Sequence, residues 1–174
     1  MSGYSLAMHR MSSRQVALIL LAGSAALLGG AFAFQYWGGL APCILCWWQR
    51  YAHMAAIIIA GAAVVLAPSG GSRLTWILVA AAVLALLAGV GIAAFHVGVE
   101  QHWWPGTAEC GSQVGGAGGI EALRARLMAQ PIVRCDEVAW SLFGISMAGY
   151  NLLLSLALAL FGGAASLRHL TRAP

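Results

Sequence analysis

The feature that most constrains this chain is where its charges are missing. Only 8% of its 174 residues are charged and 61% are hydrophobic. Uncharged runs extend from Gln15 to Gln49, Tyr51 to Ser72, Leu74 to Val99 and Val138 to Leu167. Each run meets or exceeds the roughly 20 residues that cross a hydrocarbon core of about 30 Å as a helix. A soluble domain carries about 25% charged residues, so a water-facing surface cannot be assembled all round this chain. An integral membrane protein is expected, and helices are the economical way to satisfy its backbone inside lipid.

The first run is too long for one span, and Gly38, Gly39 and Pro42 punctuate it. The pattern predicts an all-α membrane protein, a single four-helix domain over residues 1–174, with spans at about 16–35, 42–67, 74–97 and 138–161. A long loop is expected over about 98–137. Four crossings place both termini on one side. Arg10 and Arg14 precede the first span, Arg73 lies between the second and third, and Arg168 and Arg172 follow the fourth, with no acid among them. By the positive-inside rule that side is cytoplasmic. All the acids, Glu100, Glu109, Glu121, Asp136 and Glu137, fall in the long loop, which is therefore expected on the outer face. Trp37, Trp47, Trp48, Trp103, Trp104 and Trp140 cluster at that same edge, where an aromatic belt belongs.

Two other classes are weighed against this. The formal charge of +4 invites a nucleic-acid reading, but the arginines are scattered singly or in pairs and form no basic stripe. Arg10, Arg14, the apolar stretch after them and Ala31-Phe32-Ala33 imitate a cleavable signal peptide. The apolar stretch continues past a usual signal core, so the first helix is expected to be retained.

The four cysteines all fall at the outer face under this topology. Cys43 and Cys46 form a C-x-x-C, while Cys110 and Cys135 stand in the long loop. Of the three possible pairings, Cys43 with Cys46 and Cys110 with Cys135 is the most economical. An oxidising compartment permits two structural disulfides, but a bridge between residues three apart staples almost nothing. Pro42 suits the first turn of a helix. Cys43 and Cys46 would then share one face of that turn, where the helix N-terminus favours thiolate over thiol.

Arg50 is the lone charge between Arg14 and Arg73 and lies about one turn deeper than Cys46. It can snorkel to the interface, yet an ionisable residue within a span is a functional candidate by default. Its expected partner is the Cys46 thiolate, or an anionic reduced ligand beside it. At the end of the third span His96 and Glu100 stand four apart on one face, either as an interfacial pair or with His96 hydrogen-bonded to a ligand head. Helix 1 offers nothing beyond packing.

No metal site is expected, because Cys110 and Cys135 lack the close spacing of a structural zinc pair. Covalent haem needs a His where Trp47 follows Cys46. A bis-His haem on His53 and His96 has no second pair to support it.

Within the long loop, residues 111–119 are too rich in Gly to favour one conformation, which would leave Cys110 on a tether. Ile120, Leu123, Leu127 and Met128 then recur at helical spacing with Glu121, Arg124 and Arg126 between them, predicting a short amphipathic helix on the membrane surface. Pro131 ends it, and Cys135 is anchored just ahead of the fourth span.

Taken together, these residues resemble the bacterial disulfide bond formation protein B (DsbB) family. The resemblance covers nearly the whole chain: four spans, the stretch Cys43-Ile44-Leu45-Cys46-Trp47-Trp48-Gln49-Arg50, a His ending helix 3 and a second Cys pair in the outer loop. Vitamin K epoxide reductase-like proteins share the logic, but there the loop pair precedes the C-x-x-C. The DsbB resemblance implies a quinone-dependent protein-disulfide oxidoreductase of the bacterial inner membrane, with its catalytic loop periplasmic. In that scheme Cys110 forms the mixed disulfide with a reduced DsbA-like thioredoxin-fold partner, and Cys135 completes the loop pair. Electrons pass to Cys43 and Cys46 and on to membrane quinone, ubiquinone or menaquinone. Arg50 stabilises the Cys46 thiolate and the reduced quinone, and His96 binds the quinone's outer edge. The competing implications are a paralogue serving another thiol partner, or a non-catalytic membrane protein with two structural disulfides.

Overall fold

The computed structural model describes residues 11–67, 72–110 and 133–171. Among them are four long helices: α1 (Ser13–Tyr36), α2 (Ile44–Leu66), α3 (Arg73–Glu100) and α4 (Met147–Leu170). Their most apolar windows have mean hydropathies from 1.4 to 2.7, so all four are long and apolar enough to cross a bilayer. The chain is a multi-pass membrane protein built as a four-helix bundle. The least apolar is α2, at 1.4, because it carries Gln49, Arg50 and His53.

Each helix begins on a side chain that accepts a first-turn N–H, and the caps set the boundaries. Ser12 and Gln15 form a reciprocal capping box on α1. Ser72 caps α3 through Thr75 N, and Ser146 caps α4 through Gly149 N. On α2 the cap is a thiol: Cys43 Sγ accepts from Cys46 N at 3.2 Å. The second helix therefore starts at Ile44, two residues later than expected, with Pro42 outside it. The third runs on to Glu100 rather than stopping near Val97.

The fourth span departs most from expectation. Residues 138–146 are not helical; they contain a hairpin of β1 (Ser141–Leu142) and β2 (Ile145–Ser146), antiparallel with Leu142 opposite Ile145. Phe143 (φ 51) and Gly144 (φ 76) make the two-residue turn, the left-handed pair that matches strand twist. Hydropathy could not mark this boundary, because Leu142, Phe143 and Ile145 are as apolar as the helix that follows. The expected amphipathic helix at 120–128 and the Gly-rich tether lie outside the described residues.

The main core sits in the half of the bundle that holds the start of α1 and the end of α4. Val16, Ala17 and Leu20 of α1, Ala56, Ala60 and Ala63 of α2, Val79, Ala82 and Leu86 of α3 and Ala159 of α4 are all buried there. In lipid, helices associate by close packing rather than by a hydrophobic drive, and this row of alanines permits it. A Cβ on Gly162 would meet Val83 Cγ2 at 2.6 Å and Leu20 Cδ1 at 3.2 Å, so α4 can approach α1 and α3 there only with glycine. Over its length α1 leans mainly on α2 and touches α4 sparsely.

Candidate active site

The C-x-x-C occupies the cap and first turn of α2. Cys43 Sγ and Cys46 Sγ lie 2.7 Å apart, and both are free thiols. Cys43 is buried, at 5% exposure. Its thiol is pushed up, first by the hydrogen bond it shares with Cys46 and then by burial. His96 Nε2 lies 3.6 Å from the same sulfur.

The loop pair is joined as a Cys110–Cys135 disulfide with a Cα–Cα distance of 5.2 Å. It does not hang free of the bundle. Cys135 is fully buried, and Cys43, Leu45, Val99 and Cys135 form one apolar cluster with Cys46, Cys110 and Val133 packed against it. Cys110 N donates to Thr107 O at 2.8 Å, so on its described side Cys110 is held by a turn. Gly98 makes room for the Trp104 ring, whose Nε1 donates to Phe95 O at 3.0 Å, folding the start of the loop back over α3. Beyond Cys135, Arg134 bonds Asp136 at 2.5–2.9 Å and approaches Glu137 at 3.2 Å. The Arg134 hydrogen bond holds the partly exposed Asp136 carboxyl below its usual range.

A cavity of about 330 Å³ lies between α1, α2, α4 and the hairpin. Apolar residues such as Leu27, Ala31, Phe34 and Leu154 form most of its wall, with Cys46 and Arg50 opening into it. The buried Arg50 donates to Ala31 O at 3.1 Å and to Gln35 Oε1. Its guanidinium lies 4.9 Å from both the Phe32 and Trp47 ring centroids. The expectation that helix 1 supplies packing alone is thus corrected: α1 holds Arg50 in place and forms one wall of the cavity. His96 also lines the cavity, but its ring nitrogens are directed at Gln49 and Cys43. Glu100 is buried, bonded by Ser146 Oγ and 4.0 Å from His96.

Cys43, Cys46 and Arg50 from one stretch of sequence and His96, Cys110 and Cys135 from positions well beyond it thus meet at one end of the bundle. Sequence reasoning missed Gln35, Gln49 and Asn151, uncharged amides within apolar spans, whose polarity was the available signal. Cys43, Cys46 and His96 also bring ligand atoms within 4.8 Å of one another.

Fold and site together define a membrane-embedded thiol–disulfide protein, with two cysteine pairs stacked beside an apolar cavity. The family model described as disulfide bond formation protein DsbB matches residues 13–165, and the chain belongs to that family. It is 34% identical to disulfide bond formation protein B of Aromatoleum aromaticum over 86% of this chain and 90% of the relative. The corresponding protein of Verminephrobacter eiseniae is 35% identical over 83% of this chain and 80% of its own length. An uncharacterised protein of Rickettsia prowazekii is 29% identical over 84% and 83% of the two chains. No solved structure matches. Family membership makes this chain a disulfide oxidoreductase of disulfide bond formation.

Proposed function

We propose that this protein reoxidises a periplasmic DsbA-like dithiol protein and passes the electrons through Cys110–Cys135 and Cys43–Cys46 to a membrane quinone. It would work in the bacterial inner membrane with both termini cytoplasmic. The observation that carries the reading is the shared cluster: the buried Cys135 packs with Cys43, and Cys46, three residues on, opens into the cavity.

Cys110, the less buried member of the loop pair, takes the partner's thiolate and forms the mixed disulfide. The partner's second thiol resolves it, leaving Cys110 and Cys135 reduced. Cys135 thiolate then attacks Cys43 of an oxidised C-x-x-C, expelling Cys46 as thiolate within reach of Arg50. Cys110 attacks Cys135 in turn, the loop disulfide re-forms and Cys43 is released. The loop pair has lost two electrons and the C-x-x-C has gained them.

The cavity suits a quinone: its wall is apolar, with Cys46 and the Arg50 donors at the polar end. When bound, a quinone accepts the two electrons and two protons of a dithiol. Arg50 would hold the head group and the Cys46 thiolate, with His96 at the edge of the site beside Cys43.

Quinone reduction in membranes by a reduced thioredoxin-like donor tests the scheme. Turnover should fall to background in Cys43→Ser, Cys46→Ser, Cys110→Ser and Cys135→Ser variants. Undiminished turnover in Cys46→Ser would refute the relay.

A further inference from the structure

Behind the cysteines a chain of polar side chains, most of which the relay leaves unused, links α4 to His96. On α4, Ser155 Oγ lies 3.2 Å from Asn151 Oδ1 and 3.3 Å from His53 Nε2 of α2. His53 Nε2 is 2.8 Å from Asn151 Oδ1, and Asn151 Nδ2 donates to Gln49 Oε1 at 2.6 Å. Gln49 Nε2 lies 2.8 Å from His96 Nδ1, whose opposite nitrogen faces Cys43 Sγ at 3.6 Å. Gln49, His53, His96 and Ser155 are all buried.

One carbonyl fixes the direction of this chain. Leu45 O can only accept, and Gln49 Nε2 lies 3.3 Å from it. The amide NH₂ of Gln49 must therefore face Leu45 and His96, and its oxygen must face Asn151. His96 Nδ1 then accepts, so the neutral ring carries its proton on Nε2. The far end agrees. His53 Nδ1 is buried without a partner among the described residues, and a bare lone pair is more tolerable there than an orphaned N–H. His53 therefore donates from Nε2 to Asn151, and the donors of the chain point toward Cys43.

We propose that Gln49 and Asn151 are positioning residues that lock the His96 proton on Nε2, making His96 a standing hydrogen-bond donor to the Cys43 sulfur. The proposal builds on the relay reading, which says when the donor is needed. As Cys110 attacks the Cys43–Cys135 bridge, the Cys110–Cys135 bond forms and the electron pair of the broken bond leaves on Cys43. Cys46 is then engaged elsewhere, and His96 Nε2–H meets the new thiolate. The same lock withholds the Nε2 lone pair that a metal at Cys43, Cys46 and His96 would require.

The test needs neither quinone nor partner, so its failure is distinct from failure of the relay. Full-length protein carrying Cys46→Ala, with the loop disulfide intact, leaves Cys43 as its free thiol. Around that sulfur stand Arg50 from α2, His96 and Glu100 from α3, and Arg134 and Glu137 at the cavity rim; Gln49→Glu, Asn151→Leu and His96→Gln leave those ionisable groups in place except for His96 itself. Nitrogen-15 spectra should report the Nε2–H tautomer of His96. The near-isosteric Gln49→Glu should move the proton to Nδ1 and slow Cys43 alkylation at neutral pH roughly tenfold, the size of one hydrogen bond to a charged group. Asn151→Leu, which adds no charge, should slow it less. His96→Gln, which keeps a donor, should alkylate faster than His96→Leu. An Nδ1–H tautomer in the parent, a Gln49→Glu alkylation rate that does not change, or equal rates for the two His96 variants overturns the proposal.

Discussion

The two ends of the bundle solve opposite problems. At the end where α1 starts and α4 finishes, alanines and the close approach at Gly162 bring four helices together with little room to spare. At the cysteine end the same helices part around a cavity of about 330 Å³ and hold Arg50, Gln49, His53, His96 and Glu100 out of solvent. The polar groups there are bonded largely across helices: Arg50 to α1, Asn151 to Gln49, and Ser146 to Glu100. The lesson is a division of labour. Close packing at one end fixes the helices, which lets the other end remain hollow and polar without falling apart.

Filling each end should give opposite results. Gly162→Val drives a side chain into Val83 and Leu20 and should cost about 2 kcal/mol of thermal stability in detergent, the usual scale of overpacking. Ala31→Leu, placed in the wall of the cavity, should leave the melting temperature within a few degrees while raising the KM for quinone. Equal destabilisation by the two would erase the distinction. Next in size, Arg50→Ala should raise the KM for quinone about tenfold, with topology intact, the scale of one lost charged hydrogen bond; an unchanged KM would contradict its role. Smallest, Ser146→Ala removes the cap of α4 and the donor to Glu100, and should cost about 1 kcal/mol. A melting temperature that stays put would show that the Glu100 contact adds nothing.

The close-packed end was the more legible in sequence. Its spans follow from long uncharged runs, which place α1, α2 and α3 within a few residues of their observed bounds. The start of α4 was hidden, since a turn through Phe143 and Gly144 registers as one more apolar stretch. The site was half legible. Cysteines, Arg50 and His96 stand out because charge and sulfur are rare in lipid-facing sequence. Gln35, Gln49 and Asn151 carry no charge, and what they do depends on a neighbour brought close by the fold from 15 to 102 positions away.

The thiol cap of α2 joins two things that are usually separate. Cys43 Sγ is at once a sulfur of the C-x-x-C and the acceptor for the Cys46 amide. A thiolate accepts a charge-assisted hydrogen bond and a disulfide sulfur only a neutral one, so the first turn of α2 is held most tightly when Cys43 is reduced and ionised. Protection of the Cys46 amide against hydrogen exchange should therefore differ between the reduced and oxidised pair, a redox readout written into the backbone itself.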